Sequence, residues 1–314
     1  MTSQRDQVAA LMQTMQTRLC AAFEALDGQA HFKSKSWERP GGGTGTARVL
    51  ADGAVFEKAG VNFSAVHGAQ TPPSLWQAHP RTQGQPYFAT GVSMVLHPKN
   101  PFAPAFHANF RYFEAGEGEN LDSWFGGGMD MTPNYGFDAD AVHFHQSLRA
   151  YCHAHGADYA QLKATCDDYF FIKHRKEMRG IGGIFFDEID LGNFAQTFAF
   201  VQAGAQAILD AYAPIVQRRK DMIYDDRERQ WQLYRRGRYV EFNLVYDRGT
   251  VFGLQTNGNI EAILMSLPPL ARWEFDVVPE PGSPEAKSLE FLQPRDWAAE
   301  LENAGSALNA PNAA

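Results

Sequence analysis

Residues 91–98 read GVSMVLHP and residues 106–113 read FHANFRYF, and these two stretches decide the fold. Side chains of a strand point alternately to its two faces, so the first stretch places Ser93 and His97 on the face opposite Met94. The second stretch alternates in the same way. We predict two paired strands with one apolar and one polar face, the competing interpretation being that the polar face is simply solvated.

Further strands and helices extend outward from this pair. Short β-rich runs broken by Gly, Pro and Asn, from residue 31 to about 132, predict an antiparallel sheet, and residues 181–190 (IGGIFFDEID) predict a buried strand. Apolar residues at helical spacing predict helices over 5–27, 138–155, 158–178, 193–220 and 227–236. Residues 238–255 predict a hairpin that turns at Asp247, Arg248 and Gly249.

The order of these elements favours the α+β class, because strands come first, helices follow, and strands return. No internal repeat or low-complexity linker divides the chain, so we expect a single domain over residues 1–314. Residues 280–314 are rich in Pro, Glu and Ala and are expected to form a peripheral tail.

Composition excludes several classes of protein. Of the 314 residues, 44% are hydrophobic, which is enough for a large core, and the net charge of -8 argues against a broad nucleic-acid surface. No run reaches the roughly 18 to 20 uncharged apolar residues of a membrane-spanning helix, and residues 1–20 read as an amphipathic helix, so we expect a cytoplasmic protein. The three cysteines lack CxxC spacing and are expected to be reduced and buried.

Two charged residues, one on the strand pair and one shortly after it, are candidates for a ligand site. Arg111, on the same strand face as His107 and Asn109, is the first candidate for a carboxylate clamp, since its planar fork makes two parallel hydrogen bonds. Asp130 follows three glycines in SWFGGGMDM and lies among apolar residues. Its pKa should be raised unless it is paired, which would suit a base or hydrogen-bond acceptor, although a turn-capping role competes.

Four histidines form a further group of candidates. His145 and His174 flank the apolar stripes of their predicted helices, and with His97 and His107 they could converge in one pocket. Imidazoles suit manganese, iron and zinc, but they also donate hydrogen bonds to carboxylates and shuttle protons. The spacings lack a tight metal motif, so the residue pattern leaves both roles open.

Several long segments, taken together, resemble the oxygen-dependent coproporphyrinogen III oxidase family, from about residue 30 to 276. The segments that carry the resemblance are SMVLHP with FHANFRYFE, WFGGGMDMTPNYGF, DAVHFHQSL, CDDYFFIKHRKEMRGIGGIFFDEID and RRGRYVEFNLVYDRGTVFGLQTNGNIEAILMSLPPLARWEFD.

The resemblance implies a large flat antiparallel sheet with helices on both faces, and a homodimer that forms through residues 238–274. It implies the oxidative decarboxylation of two propionate groups of coproporphyrinogen III to vinyl groups, giving protoporphyrinogen IX in haem biosynthesis. Molecular oxygen is the implied cosubstrate, with carbon dioxide and hydrogen peroxide released and with no organic cofactor such as a flavin or nicotinamide.

The resemblance also implies roles for individual residues. The implied substrate contacts are Ser93, Asn109, Phe110, Arg111, Arg179, Asn257, Gly258 and Asn259. His107 is the implied proton donor, and Asp130 matches a family position tied to catalysis. A divalent metal, manganese, is implied at His97, His107, His145 and His174. The chain departs from the family at Asn259, where an arginine is usual, so an anion contact is expected to be lost or compensated elsewhere.

Our mechanistic hypothesis is that the reduced tetrapyrrole itself activates oxygen once Asp130 has accepted the proton of a pyrrole N–H, while the protein positions and desolvates the substrate. Two other functions fit the same residues. One is a metal-dependent oxygenase that acts on another aromatic acid through the four histidines, and the other is a porphyrin carrier that never converts its ligand.

Overall fold

A computed structural model describes residues 3–39, 41–116, 118, 121–255 and 259–298. The strands are β1 (Lys33–Glu38), β2 (Gly43–Ala51), β3 (Phe56–Gly68), β4 (Tyr87–Pro98), β5 (Ala105–Ala115), β6 (Asp122–Thr132), β7 (Phe171–Ile172), β8 (Glu177–Met178) and β9 (Gly183–Ile189). The helices are α1 (Gln4–Asp27), α2 (Asp138–Ala154), α3 (Tyr159–Tyr169), α4 (Phe194–Arg219), α5 (Asp226–Val245), α6 (Arg248–Gln255), α7 (Ile260–Leu264) and α8 (Pro284–Leu289).

One seven-stranded antiparallel sheet, in the order β1-β2-β3-β4-β5-β6-β9, organises the chain. The predicted central pair is confirmed, because β4 and β5 are neighbours with Ser93 opposite Asn109 and Val95 opposite His107. The predicted strand at 181–190 is confirmed as β9 at the edge of this sheet.

The apolar face of the sheet packs against α1, α2 and α4. On this face Phe106 is fully buried, stacked on Tyr212 of α4 at 4.6 Å between ring centroids and edge-on to Phe144 of α2. A Cβ atom at Gly204 of α4 would lie 2.4 Å from the Phe110 ring, so only glycine permits this close approach of helix to sheet. This face carries the main hydrophobic core.

On the polar face of the sheet, α5 and α7 pack against β3 and β4. The His97 ring lies edge-on to Tyr239 of α5, with 5.1 Å between their centroids. Asn62 of β3 donates a hydrogen bond to the carbonyl of Ala262 in α7, and Nζ of Lys58 donates to the carbonyl of Leu267 at 2.8 Å. Helices therefore lie on both faces, as expected for the α+β architecture.

The helix termini explain why several predicted helices are confirmed. The Ser3 side chain accepts from the amide of Asp6 at the start of α1, and Gly28 ends the helix at a φ of 74°, a left-handed conformation that favours glycine. The helices predicted over 138–155 and 193–220 are α2 and α4, and the side chain of Asn193 caps the latter.

Two predictions were wrong after residue 157. The helix predicted over 158–178 ends at Tyr169, and residues 171–178 instead form the short β7–β8 hairpin. The hairpin predicted over 238–255 is helical, because α5 continues to Val245 and α6 begins at Arg248. The expected turn at Asp247 does occur, but it joins two helices, since the Asp247 side chain accepts from the amide of Thr250 at 2.7 Å.

The described part of the predicted peripheral tail is packed on the core. Trp297 is fully buried and stacks on Phe291 at 5.0 Å between ring centroids, and both belong to the main core. Residues 299–314 lie outside the described residues. The three cysteines are free and buried, as predicted. Among the residues described, no helix has the length and apolar character needed to cross a membrane.

Candidate active site

The polar face brings together the residues that alternation predicted for it. The β5–β6 register places His107 opposite Asp130 and Arg111 opposite Gly126, while Ser93 lies opposite Asn109 on the β4 side. These positions form adjoining rows on one face, because directly opposite residues of paired strands point the same way.

Asp130 is fully paired at the centre of this face. Its carboxylate accepts from Nδ1 of His107 at 2.8 Å, and Nη2 of Arg179 donates to both of its oxygens at 2.8 and 2.7 Å. Burial acts to raise the pKa of Asp130, but the charge of Arg179 and the hydrogen bond from His107 outweigh it, so the pKa lies below the ordinary value. The carboxylate is therefore ionised, with its oxygens already engaged by the protein.

His107 is the partly exposed member of this group of paired side chains. Because Nδ1 donates to Asp130, the neutral imidazole carries its lone pair on Nε2. The side chain is 21% exposed, whereas that of Asp130 is 2% exposed. No residue in the described ranges hydrogen-bonds to Nε2. His107, and not Asp130, is thus the group that a ligand on this face would reach.

Arg111, two residues after Asn109 in β5, belongs to a second group of hydrogen-bonded charged side chains. It hydrogen-bonds to Asp187 of β9 and, through Nη1, to the side-chain oxygen of Asn109 at 3.0 Å. Arg248, the first residue of α6, donates to the other oxygen of Asp187 at 2.7 Å. Two guanidinium groups therefore converge on one carboxylate at the rim of the polar face.

Neither Asp187 nor Arg248 was among the residues predicted for the site. Arg248 was interpreted as a turn residue, and only the end of α5 brings it to the sheet edge. A signal was present for Asp187, because Asp187 and Glu188 place two charges directly after the apolar residues Ile184, Phe185 and Phe186 of the same strand.

Four of the predicted substrate contacts differ from expectation or lie outside the described residues. Phe110 is 1% exposed and points into the apolar core, so its side chain cannot contact a ligand on the polar face. The side chain of Asn259 accepts from the amide of Ala262 at 3.2 Å and caps α7, which explains an amide where an arginine is usual. Asn257 and Gly258 lie outside the described residues.

The four histidines do not converge. Nδ1 of His145 hydrogen-bonds to the Tyr159 hydroxyl at 2.8 Å, and its Nε2 to the Ile181 carbonyl at 2.9 Å. Nδ1 of His174 hydrogen-bonds to the Tyr246 hydroxyl at 2.8 Å, and its Nε2 to Glu241 at 2.7 Å. Nε2 of His97 is bonded to the Ser266 carbonyl at 2.9 Å. Burial lowers the pKa of both His97 and His145 to about 3, so each is neutral.

These contacts do not fit a shared metal site. Among the ring nitrogens of these four histidines, one of His97 and one of His107 have no protein hydrogen-bond partner in the described part of the chain. No group of three or more His, Cys, Asp or Glu residues there is placed to hold an ion. The described geometry does not bring the four imidazoles into one pocket, because each ring joins a different pair of structural elements.

A comparison with protein families identifies the family of this chain. The family model described as coproporphyrinogen III oxidase matches residues 7–297, a range that includes the sheet, the helices on both of its faces and every site residue described above. The match covers most of the chain of 314 residues. The chain therefore belongs to the coproporphyrinogen III oxidase family, the oxidoreductases that act on coproporphyrinogen III in haem biosynthesis.

Proposed function

We propose that this chain uses molecular oxygen to convert two propionate groups of coproporphyrinogen III to vinyl groups, giving protoporphyrinogen IX. Each arm loses carbon dioxide and one β-hydrogen. The two electrons released reduce oxygen, which takes up two protons and leaves as hydrogen peroxide. The observation that carries the proposal is the presence, on one sheet face, of a partly exposed His107 held by buried Asp130 and of two arginines that converge on a carboxylate.

The arginine pair accounts for the acidic arms of the substrate. Arg111 and Arg248 both contact Asp187, so their guanidinium groups are already oriented toward one carboxylate before substrate arrives. A propionate that replaces or joins Asp187 would find two charge-assisted donors without further ordering of the protein. Asn109 supports this arrangement by accepting from Arg111.

His107 accounts for the proton transfer. We assign Nε2 of His107 as the atom that accepts the pyrrole N–H proton, which leaves an electron-rich ring able to reduce oxygen. Asp130, which our sequence-based hypothesis gave this role, instead holds the imidazole in the tautomer with the proton on Nδ1. Ser93 and Asn109 provide a polar floor beside it.

The choice of oxygen as the oxidant has support from the cysteines. An oxygen-independent route needs another electron acceptor, such as an iron–sulfur cluster, whose irons are held mainly by Cys thiolates. The chain has three cysteines, all buried, and burial raises the pKa of Cys152 to about 12, which disfavours a thiolate. Oxygen needs no such ligands.

The decisive experiment follows the substrate directly. Metal-stripped protein is incubated with coproporphyrinogen III in air or under argon, with and without added manganese, and the loss of two carboxyl groups is measured by mass spectrometry. We expect conversion in air without metal, none under argon, and one hydrogen peroxide for each carbon dioxide. Binding without conversion would indicate a carrier, and conversion only with manganese would restore a metal site.

A pair of histidine variants tests the assigned proton acceptor. His107→Asn should lower kcat by about 100-fold or more, in the range that general acid–base groups contribute. His143→Asn is the matched control, because His143 lies on α2, where its ring hydrogen-bonds to the carbonyl of Asp210. Equal activity of the two variants would remove His107 from the mechanism.

We also propose that the chain forms a homodimer through the surface that includes residues 238–274. Apolar side chains are exposed on the segment that follows α7, with Trp273 54% exposed and Phe275 99% exposed, and Trp273 hydrogen-bonds to Glu241 of α5. Exposed apolar patches of this kind mark interaction surfaces. Phe275→Asp should weaken the dimer at least about tenfold in sedimentation velocity, whereas Ile223→Asp, at an exposed position between α4 and α5, should not.

A further inference from the structure

Arg179 is enclosed by aromatic rings. Its side chain is 1% exposed, and its guanidinium carbon lies 4.1 Å from the ring centre of Phe170, 4.7 Å from Tyr239 and 4.8 Å from Phe242. Water cannot reach a guanidinium in this position, so its charge is balanced by Asp130 and by the electron-rich ring faces. Nη1 is fixed as well, because it donates to Asn243 at 2.7 Å.

Phe170 differs from the other two rings. It follows the last residue of α3, and its ring is also edge-on to His107, at 5.9 Å between centroids and 71° between planes. Among the described residues it is the one ring in contact with both Arg179 and His107. Phe170 therefore contacts both ends of the chain of hydrogen bonds from Arg179 through Asp130 to His107.

We propose that Phe170 is a positioning residue that holds His107 in the tautomer protonated on Nδ1, with Nε2 free on the open side of the sheet. The ring restricts rotation of the imidazole from one side, and it excludes water from the Arg179–Asp130 pair on the other. Asp130 then has His107 as its second partner and cannot exchange it for solvent. The link to turnover rests on the function proposed above, but the effect on the tautomer does not.

A readout that does not depend on turnover tests this role. The ring nitrogens of 15N-labelled His107 report its tautomer by NMR, measured on the full chain at about pH 8, where an ordinary imidazole is neutral. Wild-type protein should show the proton on Nδ1. Phe170→Leu, which removes the ring but keeps most of its volume, should give a mixture of tautomers and a kcat lower by about 10- to 100-fold, with little change in KM.

Phe242→Leu is the matched control, because Phe242 is equally buried and faces Arg179 but does not contact His107. It should leave the tautomer unchanged. If both variants alter the tautomer equally, or if Phe170→Leu keeps the wild-type tautomer and kcat, the proposal is wrong. Phe170→Met replaces the Leu variant if that protein does not fold. A wild-type protein that converts no tetrapyrrole would refute the proposed function while leaving the tautomer result to decide this proposal.

Discussion

The two faces of the central sheet are stabilised in different ways. On the apolar face Phe106 packs between Tyr212 and Phe144, and these contacts have little directional requirement. On the polar face Asp130 is buried with Arg179, and each charge there depends on its partner. The apolar face should therefore tolerate the exchange of one apolar side chain for another, whereas the polar face should not tolerate the loss of either charge of the pair.

The largest effect is expected at the buried ion pair. Arg179→Leu leaves the carboxylate of Asp130 without its counter-charge, and we expect the free energy of unfolding to fall by about 3–5 kcal/mol. The double variant Asp130→Asn with Arg179→Leu should be more stable than Arg179→Leu alone, because neither charge remains. Urea unfolding measures both. A double variant that is less stable than the single one would break the comparison.

Replacement by leucine on the apolar face should lower the free energy of unfolding less than Arg179→Leu does on the polar face. Phe106→Leu keeps an apolar side chain in the core, and we expect a loss of about 1–1.5 kcal/mol. The kcat of the folded protein should stay close to that of wild type, because Phe106 points away from the polar face. Urea unfolding and the decarboxylation assay measure the two quantities, and a large fall in kcat would show that the faces are coupled.

Gly126 and Gly128 lie two residues apart on the polar face of β6, and alanine substitutions there test substrate binding and stability separately. A Cβ at Gly126 would lie 2.7 Å from the end of the flexible Arg111 side chain, whereas one at Gly128 would lie 2.5 Å from the backbone oxygen of Ile184. Gly126→Ala should therefore raise KM by about tenfold, the loss of roughly one charged hydrogen bond, with little change in stability.

Gly128→Ala should instead destabilise the sheet by about 1–3 kcal/mol, because backbone must move. Steady-state kinetics and urea unfolding of both variants make the test. The comparison fails if Gly126→Ala is the more destabilising of the two.

The smallest effect is expected at Glu241, on the outer side of α5. Its pKa is lowered from 4.5 to about 2: burial acts to raise it, but hydrogen bonds from Arg175, His174 and Trp273 outweigh burial. A lowered carboxyl pKa stabilises the fold above the unfolded pKa, and this contribution is lost as the pH falls through the folded pKa. The stability difference between wild type and Glu241→Gln should therefore be full above pH 4.5 and should shrink as the pH falls toward about 2. A stability difference between the two proteins that grows as the pH falls would contradict this prediction.

Much of the site was predictable where the signal is local. Alternation along β4 and β5 placed His107, Asn109 and Arg111 on one face, and the register confirms it. Whether Asp130 is paired was not predictable in the same way, because its partner Arg179 is 49 residues distant in the chain. Pairing lowered the pKa that an isolated buried acid would have raised.

Local sequence patterns were enough to predict the sheet, the helices α1, α2 and α4, and the division into two faces, because periodicity and capping depend on neighbours in the chain. The tertiary structure was needed to show that α5 extends to Val245, with Tyr239 and Phe242 packed against the distant Arg179, and that α6 begins at Arg248. It also decided that Arg248 joins Arg111 and that the histidines separate. Those outcomes depend on contacts between residues far apart in sequence, which no local pattern records.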